Sequence, residues 1–243
     1  GFPSAAAVYD TDVLAPGLQY GEGEAADGFQ PLTASQRRAA EYAIDQITAV
    51  SGLEISRDDA DADIRLAQSA LPASAWGYYP GDDAESGDVW FGTQHGYYDH
   101  PARGGYAWHA FLHELGHAVG LKHGHERGAI GAGGELTPER DAMEWSVMTY
   151  RSYQNDPMQD GYSNEAGGYA QSLMRVDIAA LQQLYGANYD HLSGDTVYAF
   201  DPASGEMFID GEGQGAPVAN RIFLTLWDGG GVDTLDASAY DTG

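Results

Sequence analysis

Three histidines and a glutamate lie close together in the sequence, at spacings that suit a metal centre. His113 and His117 are four residues apart, so on a helix their imidazoles share one face, with Cβ atoms about 5–6 Å apart. Gly120 can adopt a positive φ and end the helix, which lets the chain turn back and bring in His123 as a third nitrogen ligand. Three protein ligands with one open coordination position are typical of a catalytic rather than a structural zinc ion.

Glu114 directly follows the first of these histidines. From this position its carboxylate can accept a proton from water without binding the metal itself. The competing interpretation is a helix with surface histidines, and the glycine and third histidine at the set spacing argue against it. The chain has no cysteine, so a metal must be held by histidine, carboxylate, phenol or backbone oxygen ligands.

Periodicity and punctuating residues predict the elements that position this segment. Thr33 and Gln36 fit a capping box at the start of a helix. Helices are predicted over residues 33–51, 106–120 and 172–185. Short strands bounded by glycine, proline and aspartate are predicted at 53–56, 63–68, 75–79, 89–93, 196–200, 207–209, 222–227 and 234–236.

The charge balance excludes two classes of partner. The 243 residues include 37 acidic and 11 basic side chains, for a formal net charge of −26. Phosphate recognition needs clustered lysine and arginine, so neither nucleic acid nor an anionic membrane surface is an expected partner. No stretch approaches the roughly 18 consecutive apolar residues of a membrane span, and no signal-peptide pattern is visible at the N-terminus.

A second motif lies 23 residues beyond His123. Ser146-Val147-Met148-Thr149-Tyr150 resembles the Met-turn of the metzincins, and Met148-Thr149-Tyr150 resembles the version found in the serralysin and astacin branches. The resemblance implies that Tyr150 is a displaceable fifth zinc ligand that also stabilises the oxyanion. It gives Met148 and Asp177 structural roles, with Asp177 hydrogen-bonded to the Met-turn. The alternative for Tyr150 is a packed aromatic side chain.

The C-terminal third of the chain also resembles the serralysins. Residues 176–188 are similar to the C-terminal helix of the serralysin protease domain, and residues 194–200 and 227–236 resemble the entry into the serralysin β-roll. The resemblance implies an α+β fold. Residues 1–189 then form a metzincin zinc protease domain with an N-terminal arm, a twisted mixed sheet of about five strands, an active-site helix and a C-terminal helix. Residues 190–243 form a short, RTX-like all-β segment.

The same likeness implies a calcium site in the β-rich segment. By resemblance, backbone and carboxylate oxygens of seven residues hold Ca²⁺: Leu192, Gly194, Thr196, Asp228, Gly230, Gly231 and Asp233. The sequence has one imperfect copy of the glycine- and aspartate-rich repeat rather than a tandem series. Turns without any metal are the alternative interpretation.

As a serralysin-type metzincin, the protein is expected to be a secreted, extracellular zinc metalloendopeptidase. We expect it to be monomeric and to cleave extended protein substrates with broad specificity, and the sequence leaves open whether a protein inhibitor binds it. The likeness makes residues 74–79 the edge strand that pairs with substrate, with Trp76, Tyr78 and Tyr79 either contacting substrate or serving as core or surface aromatics. The alternative function is a calcium-dependent binding or adhesion module on an inactive protease fold.

Overall fold

The computed structural model describes residues 1–11, 20–57, 62–127 and 135–241. Its α-helices are α1 (Ala34–Val50), α2 (Tyr106–Ala118) and α3 (Arg175–Tyr185). Short 3₁₀ turns occupy Ala6–Thr11, Glu24–Ala26 and Met158–Asp160. The strands are β1 (Gln30–Pro31), β2 (Leu66–Ser69), β3 (Ala75–Gly77), β4 (Val89–Gly92), β5 (Val197–Phe200), β6 (Met207–Ile209), β7 (Glu212–Gly213) and β8 (Thr234–Asp236). The chain is therefore a mixed α+β protein.

The first sheet supports the helix that carries the histidines. Its strand order is β1-β2-β4-β3, with β2 and β4 parallel and the two outer pairs antiparallel. Four strands, rather than the expected five or so, form this sheet within the described ranges. All residues of β2 and β4 are buried, because other parts of the protein cover both faces of these two central strands.

Local sequence explains α1. The Thr33 hydroxyl accepts from the Gln36 amide at 3.3 Å, and the Gln36 side chain accepts from the Thr33 amide at 2.8 Å, which confirms the predicted capping box. The helix buries its alanine-rich face, which includes Ala39, Ala40 and Ala43. These small side chains allow α1 to lie close to α2.

Helix α2 lies in the core rather than on the surface. Every residue from His109 to Ala118 is buried, and the helix contacts α1, β3 and β4.

Helix α3 begins three residues later than predicted, because Met174 caps it by donating its amide proton to the Asp177 carboxylate at 2.9 Å. Within the described ranges, no α-helix has the length and hydrophobicity that a membrane-spanning segment needs.

The prediction of a strand at residues 53–56 is wrong. An isolated antiparallel bridge joins Ser51 to Ala187 just before this segment, and no ladder continues from it. Leu53 and Ile55 instead pack their side chains against the main core. The apolar residues there serve burial rather than strand pairing.

The prediction of a strand at residues 222–227 is also wrong. The Gln171 amide donates to the Phe223 carbonyl at 2.9 Å, and the Thr225 amide donates to the Ser172 hydroxyl at 2.9 Å. The segment is therefore hydrogen-bonded to irregular chain before α3 and not to a strand. The other C-terminal strands form a second sheet in the order β7-β6-β5-β8.

A glycine permits the close approach of β3 to α2. A Cβ added at Gly77 would lie 2.4 Å from the Glu114 carbonyl oxygen. Because that neighbour is backbone, we expect Gly77→Ala to lower the free energy of unfolding by about 1–3 kcal/mol, measured by urea denaturation. In the matched change Gly194→Ala, measured like Gly77→Ala without added calcium, nothing lies within 4 Å of the added Cβ. Equal stability of the two variants would contradict the prediction.

Candidate metal centre

The helix and the turn after it bring three histidine side chains together. His113 and His117 project from α2, and Gly120, at φ 94°, reverses the chain. The Nε2 atom of His123 lies 3.2 Å from that of His113 and 3.0 Å from that of His117. The three imidazoles therefore converge on one point and form a group that could hold a metal ion.

The opposite nitrogen of each ring has its own acceptor. The Nδ1 atom lies 2.8 Å from the Val147 carbonyl in His113 and 2.8 Å from the Leu121 carbonyl in His117. In His123 it lies 2.7 Å from the Glu126 carboxylate. A proton on each Nδ1 satisfies these acceptors and leaves each Nε2 with a free lone pair.

This donor set fits a cation. Three lone pairs pointing at one another repel unless a positive ion lies between them, and neutral imidazole is a favoured zinc ligand. Burial, with contributions from neighbouring histidines, lowers the pKa of His113 well below its ordinary value and that of His117 to about 4. Burial likewise lowers the pKa of His123. The rings are therefore kept in the form that binds a metal.

A pH dependence of zinc affinity follows from the lowered pKa values of the three histidines. Since a lowered histidine pKa preserves the neutral ring, zinc affinity should begin to fall at a lower pH than at a site of ordinary histidines, whose pKa lies near 6.5. His117, with its pKa near 4, should be protonated only at strongly acidic pH. Competition with a chelator, corrected for the chelator's own protonation, measures this. A decline that already begins at pH 6.5 would contradict the expectation.

Glu114 lies on the same helix and is 7 % exposed. Burial raises the pKa of Glu114 to about 8, although a backbone hydrogen bond from Gly77 opposes the rise. Its charge also raises the pKa of Tyr79 and Tyr150, so its carboxylate lies within electrostatic range of these phenols. A carboxylate with a pKa near neutrality is suited to accept and return a proton.

The structure places Tyr150 beside the histidines. Its ring centroid lies 4.4 Å from that of His123 and 6.0 Å from that of His113, and the side chain is 38 % exposed. Burial, followed by the charge of Glu114, raises the pKa of Tyr150 to about 12. The phenol therefore keeps its proton and can donate a hydrogen bond beside the histidines.

Met148 lies under α2, where its Sδ atom is 2.6 Å from the position of a Cβ at Gly116. Asp177 holds the turn before it. The carboxylate accepts from the Ser146 hydroxyl at 2.6 Å and from the Val147 amide at 2.8 Å. The Val147 carbonyl in turn lies at the Nδ1 atom of His113. Asp177 thus reaches a histidine of the cluster through a single intervening residue.

The three aromatic residues in and after β3, Trp76, Tyr78 and Tyr79, have two different environments. Glu24 accepts hydrogen bonds from the Trp76 indole at 2.8 Å and from the Tyr78 hydroxyl, so both polar ends are tied to the N-terminal arm. Tyr79 instead presents the edge of its ring to His117, with centroids 5.2 Å apart. As expected, β3 lies at the end of the sheet, and Tyr79 is the aromatic residue next to the histidines.

The two loops expected to hold calcium lie against each other. The Thr196 amide donates to the Asp233 carboxylate at 3.1 Å, and a Cβ at Gly231 would lie 2.3 Å from the Gly194 carbonyl oxygen. Gly230 lies near the Ser193 carbonyl, and Leu192 has a left-handed backbone.

Asp228 is held by contacts inside this pair of loops. Its carboxylate accepts from the Tyr198 hydroxyl at 2.5 Å and from the Gly230 amide at 2.9 Å. The seven candidates thus belong to one pair of adjacent loops.

Sequence reasoning missed two acidic residues near the site. Glu126 hydrogen-bonds to His123, and its position three residues after the last ligand is the signal that could have drawn attention to it. Glu24 is fully buried behind β3, and no spacing in the sequence connects it with that strand.

Comparisons with known proteins agree with this geometry. The family model described as Peptidase M10 serralysin C terminal matches residues 187–243. Serralysin B of Dickeya chrysanthemi is 33 % identical over 170 residues, which cover 68 % of this chain and 34 % of that protein. Metallopeptidase AprA of Pseudomonas marginalis is 31 % identical over 225 residues, or 88 % of this chain and 46 % of that protein. The chain belongs to the serralysin family.

The chain spans less than half of the length of these serralysin relatives. Serralysin G of Dickeya chrysanthemi, 30 % identical over 227 residues, likewise matches 88 % of this chain and 45 % of its own length. Members of the family are named as metalloproteases, which agrees with a histidine cluster that could bind a metal.

Proposed function

We propose that the protein is a zinc-dependent endopeptidase. The observation that carries the proposal is the convergence of His113, His117 and His123, with each Nδ1 atom held by an acceptor and each Nε2 atom directed at one point. A zinc ion held by these three residues would supply Lewis acidity that polarises a peptide carbonyl and acidifies water. The metzincin assignment of the α+β fold is part of the same proposal.

Glu114 is the proposed general base and acid. Its buried carboxylate takes a proton from the attacking water and returns it to the leaving amine. Tyr150 donates its phenolic proton in a hydrogen bond to the oxygen on which negative charge develops, since its raised pKa keeps that proton in place. Met148 and Asp177 support the histidines from below.

The proposed substrate is an extended segment of a protein chain. Strand β3 lies at the sheet edge and contacts α2. Its outer side, which no strand pairs with in the described ranges, could pair with a backbone near the site. Pairing through the backbone selects little by side chain, which supports broad specificity. We propose that Tyr79 contacts substrate beside the site, while Trp76 and Tyr78, whose polar ends bind Glu24, support the edge strand against the N-terminal arm.

We also propose that residues 1–189 form the catalytic unit and residues 190–243 a β-rich segment that binds calcium through the seven named residues. The family match beginning at residue 187 supports that boundary. Secretion, a monomeric state and the existence of a protein inhibitor are carried over as proposals from the serralysin relationship.

Hydrolysis of denatured casein by the purified chain tests the main proposal. Cleavage should stop when a chelator removes the metal and return when zinc is added back, with calcium held constant throughout. If the zinc-loaded chain hydrolyses no denatured protein, the peptidase proposal is wrong. Calcium-dependent binding to a protein without hydrolysis would then favour the binding or adhesion module.

A further inference from the structure

The carboxylate of Glu126 bridges a histidine of the metal centre and a tyrosine beside the edge strand. Its Oε1 atom lies 2.7 Å from His123 Nδ1, and its Oε2 atom accepts from the Tyr79 hydroxyl at 3.1 Å. Both oxygens are therefore used, each by a different element of the fold. The side chain of His123 is about one-seventh exposed and that of Glu126 about one-third exposed, so water competes only partly for these contacts.

His123 differs from the other two histidines in how it is held. His113 and His117 are carried by α2, and their Nδ1 atoms meet neutral backbone carbonyls. His123 follows the helix in irregular chain and meets a carboxylate instead. A carboxylate behind a ligating imidazole fixes the ring orientation and makes the opposite nitrogen a stronger donor.

Tyr79 connects this contact to the sheet. It lies two residues beyond β3, where the Gly87 amide donates to its carbonyl at 3.3 Å. Its ring edge also rests on His117. The chain Tyr79–Glu126–His123 thus joins the end of β3 to the ligand that lies outside the helix.

We propose that Glu126 and Tyr79 are positioning residues that orient His123 for metal binding and couple it to the edge strand. The proposal rests on the proposed function for its catalytic meaning, and its first consequence is in metal affinity. Loss of such a carboxylate partner typically weakens metal binding by about 10- to 100-fold. Tyr79 acts through Glu126, so its removal should matter less, and only while the carboxylate is present.

The backbone around Glu126 is held independently of its side chain. Lys122 Nζ donates to the Glu126 carbonyl at 2.7 Å, and the Glu126 amide donates to the His123 carbonyl at 3.1 Å. Substitutions of the side chain should therefore leave the turn folded. Glu126→Gln keeps the shape and loses the charge, whereas Glu126→Ala loses both.

The experiment measures the zinc dissociation constant by chelator competition and the visible spectrum of the cobalt-substituted chain. We expect Glu126→Ala to weaken zinc binding about 10- to 100-fold and to alter the cobalt bands, with a smaller loss for Glu126→Gln. Tyr79→Phe should weaken binding by a few-fold in the wild-type background and have no effect in Glu126→Ala. The control is Glu135→Gln, an exposed glutamate that pairs with Arg127.

Three outcomes overturn the proposal. One is wild-type zinc affinity and an unchanged cobalt spectrum in both Glu126 variants. Another is an equal effect of Tyr79→Phe with and without the carboxylate. The third outcome is that the wild type binds two zinc ions and Glu126→Ala loses one of them while binding the other normally. Glu126 would then be a metal ligand, because His123, His125 and Glu126 lie close enough to hold an ion themselves. These readouts need no hydrolysis, so failure of the peptidase proposal remains separately visible.

Discussion

Replacing Glu114 by glutamine is expected to retain the metal and abolish nearly all peptide hydrolysis. Glutamine has almost the same shape but cannot take up and return a proton at neutral pH. Because general acid–base catalysis contributes about 10²- to 10⁴-fold, kcat on a peptide substrate should fall by at least that range. Zinc content by metal analysis should equal that of the wild type, since the carboxylate is not among the converging ligands.

The same substitution should not destabilise the fold. Burial raises the pKa of Glu114 to about 8, which means that the protein interior disfavours the charged form. A neutral amide removes that cost, so the melting temperature of the metal-free variant should equal or exceed that of the wild type. Glu54→Gln, at an exposed position, is the matched control for both measurements. Full hydrolytic activity of Glu114→Gln would contradict the assignment of Glu114 as the base.

Replacing Asp177 by alanine is expected to have the largest effect on stability. The fully enclosed carboxylate accepts from the Ser146 hydroxyl and from the Val147 and Met174 amides. Each buried donor left without a partner costs about 1–3 kcal/mol. Two buried amides and a hydroxyl would lose their acceptor together, so we expect a loss of about 3–5 kcal/mol in the free energy of unfolding.

Urea denaturation with and without zinc measures this loss. Asp177→Asn should fall between alanine and the wild type, because an amide group retains one acceptor oxygen. Asp82→Ala, an exposed position, should stay within about 0.5 kcal/mol of the wild type. Zinc affinity should fall as well, since Val147 also holds His113. A variant as stable as Asp82→Ala would show that Asp177 does not hold the turn.

The sequence was most informative where function depends on local geometry. Two histidines four residues apart on a helix share a face in any fold, so the metal-ligand set could be derived from spacing and a glycine. The capping box of α1 and the positions of α2 and α3 are local in the same sense. Family membership could likewise be predicted, because the motifs that carry it are contiguous.

Prediction was weaker where a segment depends on distant partners. Residues 53–56 and 222–227 have the composition of strands. A strand also needs a neighbouring strand with unpaired backbone groups, and neither segment pairs with one. The side chains of Trp76 and Tyr78 could be assigned equally to substrate or to packing. Glu24, more than fifty residues away in sequence, binds the polar ends of both.

The sequence by itself determined which side chains can hold a metal and which carboxylate lies next to them, since helix geometry sets those relations within a few residues. The tertiary structure alone decided which distant groups lie behind the rings: Val147 for His113, and Tyr79 behind the Glu126 carboxylate that contacts His123. These contacts arise when the edge strand, the turn after α2 and the segment before α3 dock on one another. Docking depends on burial summed over the whole core, and no short stretch of sequence contains that information.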